Sequence, residues 1–230
     1  MPQITSLRLA RVIRQRTCPI EVSNMTPRQE IRTISVELDT PTMLRYLIEE
    51  RFSGKTVITA SLMASSIVVL KMISEIDPAT PVIFCQRPPV FEESTDYRNR
   101  LVESLGLQNI SFSNGHEAEI KPGDSDHIER MKISYRDMPG RSVQLLHLNE
   151  CLAPYSCWIS AVYHLPREPS IRNRVDVDGH LIKVDPLIRW TKDDVREFMR
   201  ANDLPYHEMA KRQFSYDKPK SGGTPPTYHF

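Results

Sequence analysis

Residues 54–85 read GKTVITASLMASSIVVLKMISEIDPATPVIFC and give the clearest indication of the fold. After the helix-ending Gly54, the β-branched run TVITA predicts a short buried strand over Thr56–Ala60. The segment MASSIVVLKMISEI is apolar at helical spacing and stops before Asp77 and a proline, so it predicts a helix of about three turns. VIFC, residues 82–85, predicts a second buried strand. A strand, a helix and a strand within about 30 residues form a β-α-β unit with parallel strands.

Strand and helix signals alternate beyond this unit. Thr191 predicts a helix start, because Asp194 stands at the third helical position in a carboxylate variant of the capping box. The alternation predicts an α/β fold of three layers, built on an open, mostly parallel sheet of about five strands. The other predicted elements are a helix over 41–52 capped by Thr40 or Thr42, a helix over 92–105 and a strand over 110–112.

The ends of the chain differ from its middle. Residues 1–36 are basic and irregular, and we expect an N-terminal arm in which residues 32–36 have the pattern of a strand. The α/β domain is expected over 37–210. Residues 211–230 lack periodicity and predict a flexible C-terminal tail.

Composition excludes several classes of protein. Lysine and arginine total 30 against 29 aspartate and glutamate, a net charge of +1 that does not favour nucleic acid as a partner. The longest apolar run is far below the roughly 20 residues that span a membrane, and the charged N-terminus has no secretory pattern. We therefore expect a cytoplasmic protein. The four cysteines form neither a disulfide framework nor a CxxC motif.

Three stretches resemble the phosphoadenosine phosphosulfate (PAPS) reductase family, which has the adenine nucleotide alpha-hydrolase-like fold. The last is the most specific, because a Trp-Ile strand, an Arg-acid-x-Ser loop, a Lys-Val-x-Pro-Leu segment, a Trp-Thr helix start and a Leu-Pro-Tyr-His ending keep the family's order. The resemblance covers roughly residues 40–210. The stretches are residues 54–85, VFEESTDYRNRLVESLGL over 90–107, and WISAVYHLPREPSIRNRVDVDGHLIKVDPLIRWTKDDVREFMRANDLPYHEM over 158–209.

The resemblance implies an adenine nucleotide or sulfonucleotide as ligand. A helix N-terminus attracts phosphate and sulfate, and the hydroxyls of Ser61, Ser65 and Ser66 would add donors there. The family places glycine in this loop, whereas this chain has Met63, which predicts a narrowed or closed phosphate site. An anion site and a plain strand-to-helix turn capped by Ser61 both remain open.

Cations in later loops would complete such a site. By resemblance, Arg87 follows the second strand, and Arg167 and Lys183 stand where family members contact the sulfonucleotide. The places of Arg172 and Arg174 depend on how a gap is aligned. An ordinary solvated loop, balanced by neighbouring acids, is the alternative for these residues.

The sequence lacks a cysteine that the resemblance implies for the family's reaction. Family reductases use a cysteine in a C-terminal Glu-Cys-Gly segment, whereas this sequence has no cysteine after Cys157. Cys151 and Cys157 are the remaining catalytic candidates, with buried structural thiols as the alternative. No metal site is expected, and no iron-sulfur cluster either, because the family's Cys-Cys pair and CxxC are absent.

Three hypotheses of function follow. The first is a divergent member of the family that binds an adenine nucleotide or sulfonucleotide and takes part in sulfur metabolism. The second is an enzyme that adenylylates a small substrate with ATP. The third is a catalytically silent interaction subunit, whose partner would be a second copy of the chain or an active relative.

Overall fold

The computed structural model describes residues 25–86, 91–114, 148, 150–161, 174–178 and 181–207. In chain order, its helices and strands are α1 (Pro27–Glu37), α2 (Thr40–Arg45), a π-helix (Tyr46–Arg51), β1 (Thr56–Ala60), α3 (Ala64–Ile76), β2 (Val82–Gln86), α4 (Glu92–Leu105), β3 (Ile110–Asn114), β4 (Cys157–Ser160), β5 (Val175–Asp178), β6 (Leu181–Val184) and α5 (Lys192–Ala201).

The strands form one mixed sheet in the order β3-β2-β1-β4-β6-β5. Neighbouring strands are parallel except β5, which runs antiparallel to β6 at one edge. The α/β class and the mostly parallel sheet are therefore confirmed. The sheet has six strands where about five were expected, because β5 lies in a segment whose sequence pattern predicts a basic loop.

The β-α-β unit forms as its sequence predicts. Every residue of β1 is buried, and β1 pairs with β2 in parallel register, with Ile58 opposite Val82. The helix between them carries an almost continuous buried run from Ala64 to Leu70. A helix that is apolar on most of its surface must be covered on most sides, which places α3 in the interior of the domain.

The N-terminal prediction was partly wrong. Residues 32–36 belong to helix α1, not to a strand, and Ile31 and Ile34 are fully buried in the main core. A proline in the first turn and a capping box between Thr26 and Gln29 start this helix. Residues 27–36 of the expected arm therefore pack into the domain, while residues 1–24 and the expected tail over 211–230 lie outside the described residues.

The helix predicted over 41–52 begins one residue earlier and changes geometry. Its cap is Asp39, whose carboxylate accepts from the amide of Thr42, so neither Thr40 nor Thr42 caps it. After Arg45 the backbone continues as a π-helix to Arg51. Asp194 and Thr191, by contrast, form the predicted capping box of α5.

The two faces of the sheet have separate cores. Because successive strand residues point to opposite faces, Ile58, Phe84 and Cys157 lie on the face covered by the helices. The other face carries a smaller cluster, which contains Val57, Ile83, Leu148, Leu152 and Trp158. No helix among the described residues is long and apolar enough to cross a membrane.

Candidate functional site

Strands β1 and β4 lie side by side where the chain changes direction across the sheet. From β1 the chain moves through α3 to β2 on one side, whereas β4 stands on the other side. Open α/β sheets bind ligands at such a switch point, beyond the carboxyl ends of the strands. Ser61 and Ala161, which directly follow β1 and β4, are therefore at the expected place for a site.

Two of the predicted serines form a closed network in the turn after β1. The Ser66 hydroxyl donates to the carbonyl oxygen of Ala161 over 2.8 Å, so the Ser61 hydroxyl, 3.0 Å away, donates to Ser66 Oγ. Ser66 Oγ also accepts from the Ser61 amide at 3.0 Å. These hydroxyls tie the turn to the end of β4. Ser65 is fully buried beside them.

The turn does not need the glycine found in the family. Met63 has φ −80° and ψ 154°, an extended conformation open to any residue, and its side chain is buried. Its backbone amide donates to Ser61 Oγ at 3.3 Å. The first amides of α3 follow directly, and such amides have no acceptor within their own helix.

Replacement of Ser66 by alanine is expected to lower the free energy of unfolding by about 2 kcal/mol. The change removes the acceptor of the Ser61 amide and the donor to Ala161 from a fully buried position. Chemical denaturation measures the loss. Ser74 is a matched control in the same helix, because its hydroxyl bonds only the carbonyl of Lys71 one turn away. Equal losses in Ser66→Ala and Ser74→Ala would contradict the bridging role.

Lys183 stands opposite Trp158 in the β4–β6 register. It therefore lies on the face of the sheet that carries the smaller cluster, called the second face below. Its ammonium is 5.2 Å from the centre of the indole ring and 3.3 Å from Asp185 Oδ2. The indole Nε1–H donates to Thr59 Oγ1 over 2.8 Å. Asp185 and Thr59 both lie toward the carboxyl ends of their strands, so the side chains of Lys183 and Trp158 lean in that direction.

The predicted arginines divide into two groups. Arg87, Arg167 and Arg172 lie outside the described residues. Arg174 is buried and belongs to the framework, not to a basic rim: it donates to the carbonyl of Leu38 at 2.7 Å and to Thr40 Oγ1 at 2.8 Å. Burial, aided by the charge of Arg189, lowers the pKa of Arg174 to about 10.

Known proteins similar to this chain are sulfonucleotide reductases. The model of the phosphoadenosine phosphosulfate reductase domain matches residues 163–216. The adenosine 5'-phosphosulfate reductase of Mesorhizobium japonicum is 32% identical over 158 residues, which are 67% of this chain and 61% of that protein. The enzyme of the same name from Chelativorans sp. is 29% identical over 155 residues, 67% of this chain and 62% of that one.

The chain belongs to the PAPS reductase family. It spans about three fifths of the length of these relatives. A phosphate complex of the phosphoadenylyl-sulfate (PAPS) reductase from Candida auris has the same fold, with a TM-score of 0.58 and 17% identity over 82% of this chain and 92% of that one. The nucleotide alpha-hydrolase-like architecture expected from the resemblance is thereby confirmed.

The two cysteines that are catalytic candidates lie on opposite faces of the sheet. Cys157 is fully buried in the core under the helices, whereas Cys151 packs, half-buried, against the cluster on the opposite face. The two therefore do not form a pair. Burial raises the pKa of Cys157 to about 12, and burial with the nearby Glu150 raises the pKa of Cys151.

Sequence reasoning missed Cys85, Thr59 and the role of Trp158. Cys85 lies near the end of strand β2 on the same face as Cys151, and burial, followed by the charge of Cys151, raises its pKa to about 12. A signal was present: residues two apart in a strand share a face, so Val57 with Thr59 and Ile83 with Cys85 could have been grouped. Within the described part of the chain, no three His, Cys, Asp or Glu side chains could together hold a metal ion.

Proposed function

We propose that this protein binds an adenine nucleotide or sulfonucleotide at the carboxyl ends of β1 and β4. The observation that carries the proposal is the position of the β1–α3 turn, which lies at the switch point of the sheet in a chain of the PAPS reductase family. The first-turn amides of α3 and the positive end of its dipole suit a phosphate or sulfate group. Ser61 and Ser66 hold this turn in place, and we assign their hydroxyls to that task.

Of the three cations of the proposed site, Lys183 is the one that the structure describes. Strands in a sheet are about 4.8 Å apart, so β6 stands about 10 Å from β1, a distance that a nucleotide phosphate chain and a lysine side chain together span. The resemblance adds Arg87 and Arg167.

The ligand class is supported by the names of the relatives, which are reductases of adenosine phosphosulfate and its 3'-phosphorylated form, and by the phosphate bound to the Candida auris protein.

The proposed function does not include reduction by the thiols that the structure describes. A thiol must ionise to attack sulfur, and the pKa of each described cysteine is raised by burial. The proposal also includes no iron-sulfur cluster, because the sequence lacks the Cys-Cys pair and CxxC of the cluster-binding relatives.

The experiment is calorimetric titration of the purified chain with PAPS, adenosine 5'-phosphosulfate, adenosine 3',5'-bisphosphate and ATP. We expect binding of a sulfonucleotide and at least about tenfold weaker binding in Lys183→Met, the usual cost of a lost charged hydrogen bond. Lys71→Met is the matched control, because Lys71 is paired with Glu75 as Lys183 is with Asp185 but lies two turns along α3. Absence of binding by all four nucleotides would overturn the proposal.

A catalytically silent interaction subunit is the second candidate, and the buried thiols favour it. If the protein is such a subunit, the full chain is expected to assemble with a copy of itself or with an active relative. Light scattering of the full chain and of a variant lacking residues 1–24 tests it, because α1 belongs to the core and must stay. A monomeric mass for both proteins, which is 26.5 kDa for the full chain, would contradict it if it also holds in a mixture with an active relative.

A further inference from the structure

Four side chains form a line across three neighbouring strands on the second face of the sheet. Thr59 of β1 accepts a hydrogen bond from the indole of Trp158 on β4, and the indole ring faces the ammonium of Lys183 on β6. Asp185, two residues beyond Lys183, is the last member of the line and forms an ion pair with Lys183. Thr59 and Trp158 are both buried, so water cannot replace the contact between them.

The orientation of the indole is fixed at one end. A buried indole N–H requires an acceptor, and Thr59 Oγ1 supplies it at 2.8 Å. The face of the ring then meets Lys183 Nζ at 5.2 Å, within the roughly 6 Å over which an aromatic ring attracts a cation.

The ion pair of Lys183 with Asp185 is longer than two helix ion pairs among the described residues. Its ammonium is 3.3 Å from Asp185, whereas Lys71 and Glu75 are 2.9 Å apart and Arg45 and Glu49 are 2.7 Å apart. Closed charge-assisted hydrogen bonds measure about 2.7–2.9 Å. The contact between Lys183 and Asp185 is therefore not fully closed, and the ammonium also faces the indole ring.

We propose that Trp158 is a positioning residue for the anion site: Thr59 fixes its indole, and the indole keeps the Lys183 ammonium from closing fully onto Asp185. The inference rests on the proposed function, because it assigns Lys183 to a phosphate or sulfate of the nucleotide. Without the ring, Asp185 neutralises the ammonium, and a bound anion has to displace the carboxylate.

The binding test uses adenosine 3',5'-bisphosphate as the calorimetric probe. Thr59→Val, which keeps the shape but loses the acceptor, is expected to weaken binding about fivefold, whereas Thr59→Ser, which keeps a hydroxyl, retains it. Trp158→Leu, which removes the ring, is expected to weaken binding about fivefold in the wild-type chain and to have no further effect in Lys183→Met. Equal losses in both backgrounds would show that Trp158 acts by packing alone and would overturn the inference.

A measurement without ligand separates this inference from the proposed function. The chain has two tryptophans, and Lys183 contacts Trp158. Lys183→Met is expected to change the tryptophan emission of the native protein, also in a Trp190→Phe background, whereas Lys71→Met leaves it unchanged. If the emission changes but no nucleotide binds, the proposed function fails while the Lys183–Trp158 contact stands. If Lys183→Met leaves the emission unchanged, the positioning role is wrong even if nucleotides bind.

Discussion

Replacement of Thr40 by valine is expected to lower the free energy of unfolding by about 3 kcal/mol. The hydroxyl of this buried residue accepts from the Arg174 guanidinium at 2.8 Å and from the Trp190 indole at 3.1 Å, and it donates to the Pro186 carbonyl at 3.2 Å. Valine has the same shape and none of these bonds. The guanidinium is affected most, because its Nε already has no hydrogen-bond partner among the residues that the structure describes. Urea denaturation followed by circular dichroism measures the loss.

Two controls separate the network from a general effect of valine in α2. Thr40→Ser keeps the hydroxyl and is expected to lose less than about 1 kcal/mol, the transfer free energy of a methyl group. Thr42→Val lies two residues away, and the contact of Thr42 with Asp39 uses the backbone amide, which valine keeps. A loss in Thr40→Val no greater than that in Thr42→Val would show that the network does not stabilise the domain.

Alkylation of Cys157 at pH 8 is expected to be roughly a thousandfold slower in the native protein than in the unfolded chain. The thiolate is the reactive form, and burial moves the pKa of Cys157 from 9.0 to about 12, which lowers the thiolate fraction by about three powers of ten. Iodoacetamide labelling followed by peptide mass spectrometry gives the rate for each cysteine. Cys151, half-buried on the opposite face, is the internal reference and is expected to react faster.

The same pKa predicts the direction of the dependence on alkaline pH. Between pH 9 and about 12 the unfolded chain loses the Cys157 proton before the folded protein does, so the unfolded state binds fewer protons and stability falls as pH rises. Below pH 9 this contribution is fully present. Cys157→Ala is expected to have a shallower decline over this range. Native labelling of Cys157 as fast as that of Cys151 would contradict its burial and restore it as a catalytic candidate.

Much of the fold could be predicted because its signals are local. Thr56–Ala60, the helix after it and the strand at Val82 follow from β-branched runs, helical spacing and the breakers between them. The capping box at Thr191 needs only residues three apart. Residues 32–36 were assigned wrongly because a short β-branched stretch has no clear period, and the stronger signal, the cap at Thr26 with its proline, lies just upstream.

The candidate site was predicted less well, because its contacts join residues far apart in the chain. Ser66 reaches Ala161, 95 residues later, and Thr59 reaches Trp158, 99 residues later. No pattern along the chain shows that the serine hydroxyls bond one another. Nor does sequence spacing show that Cys151 and Cys157, only six positions apart, lie on opposite faces of the sheet.

The α/β class, the central parallel β-α-β unit and the resemblance to the PAPS reductase family could be predicted from the sequence, because periodicity, caps and ordered motifs are properties of neighbouring residues. Which charged and polar groups bond one another inside the domain became clear only from the three-dimensional structure. Arg174 bonds the carbonyls of α1 and the hydroxyl of Thr40, whereas Lys183 lies over an indole ring near the proposed site. The physical reason is burial: a buried cation needs hydrogen-bond partners, and the fold determines which partners are within reach.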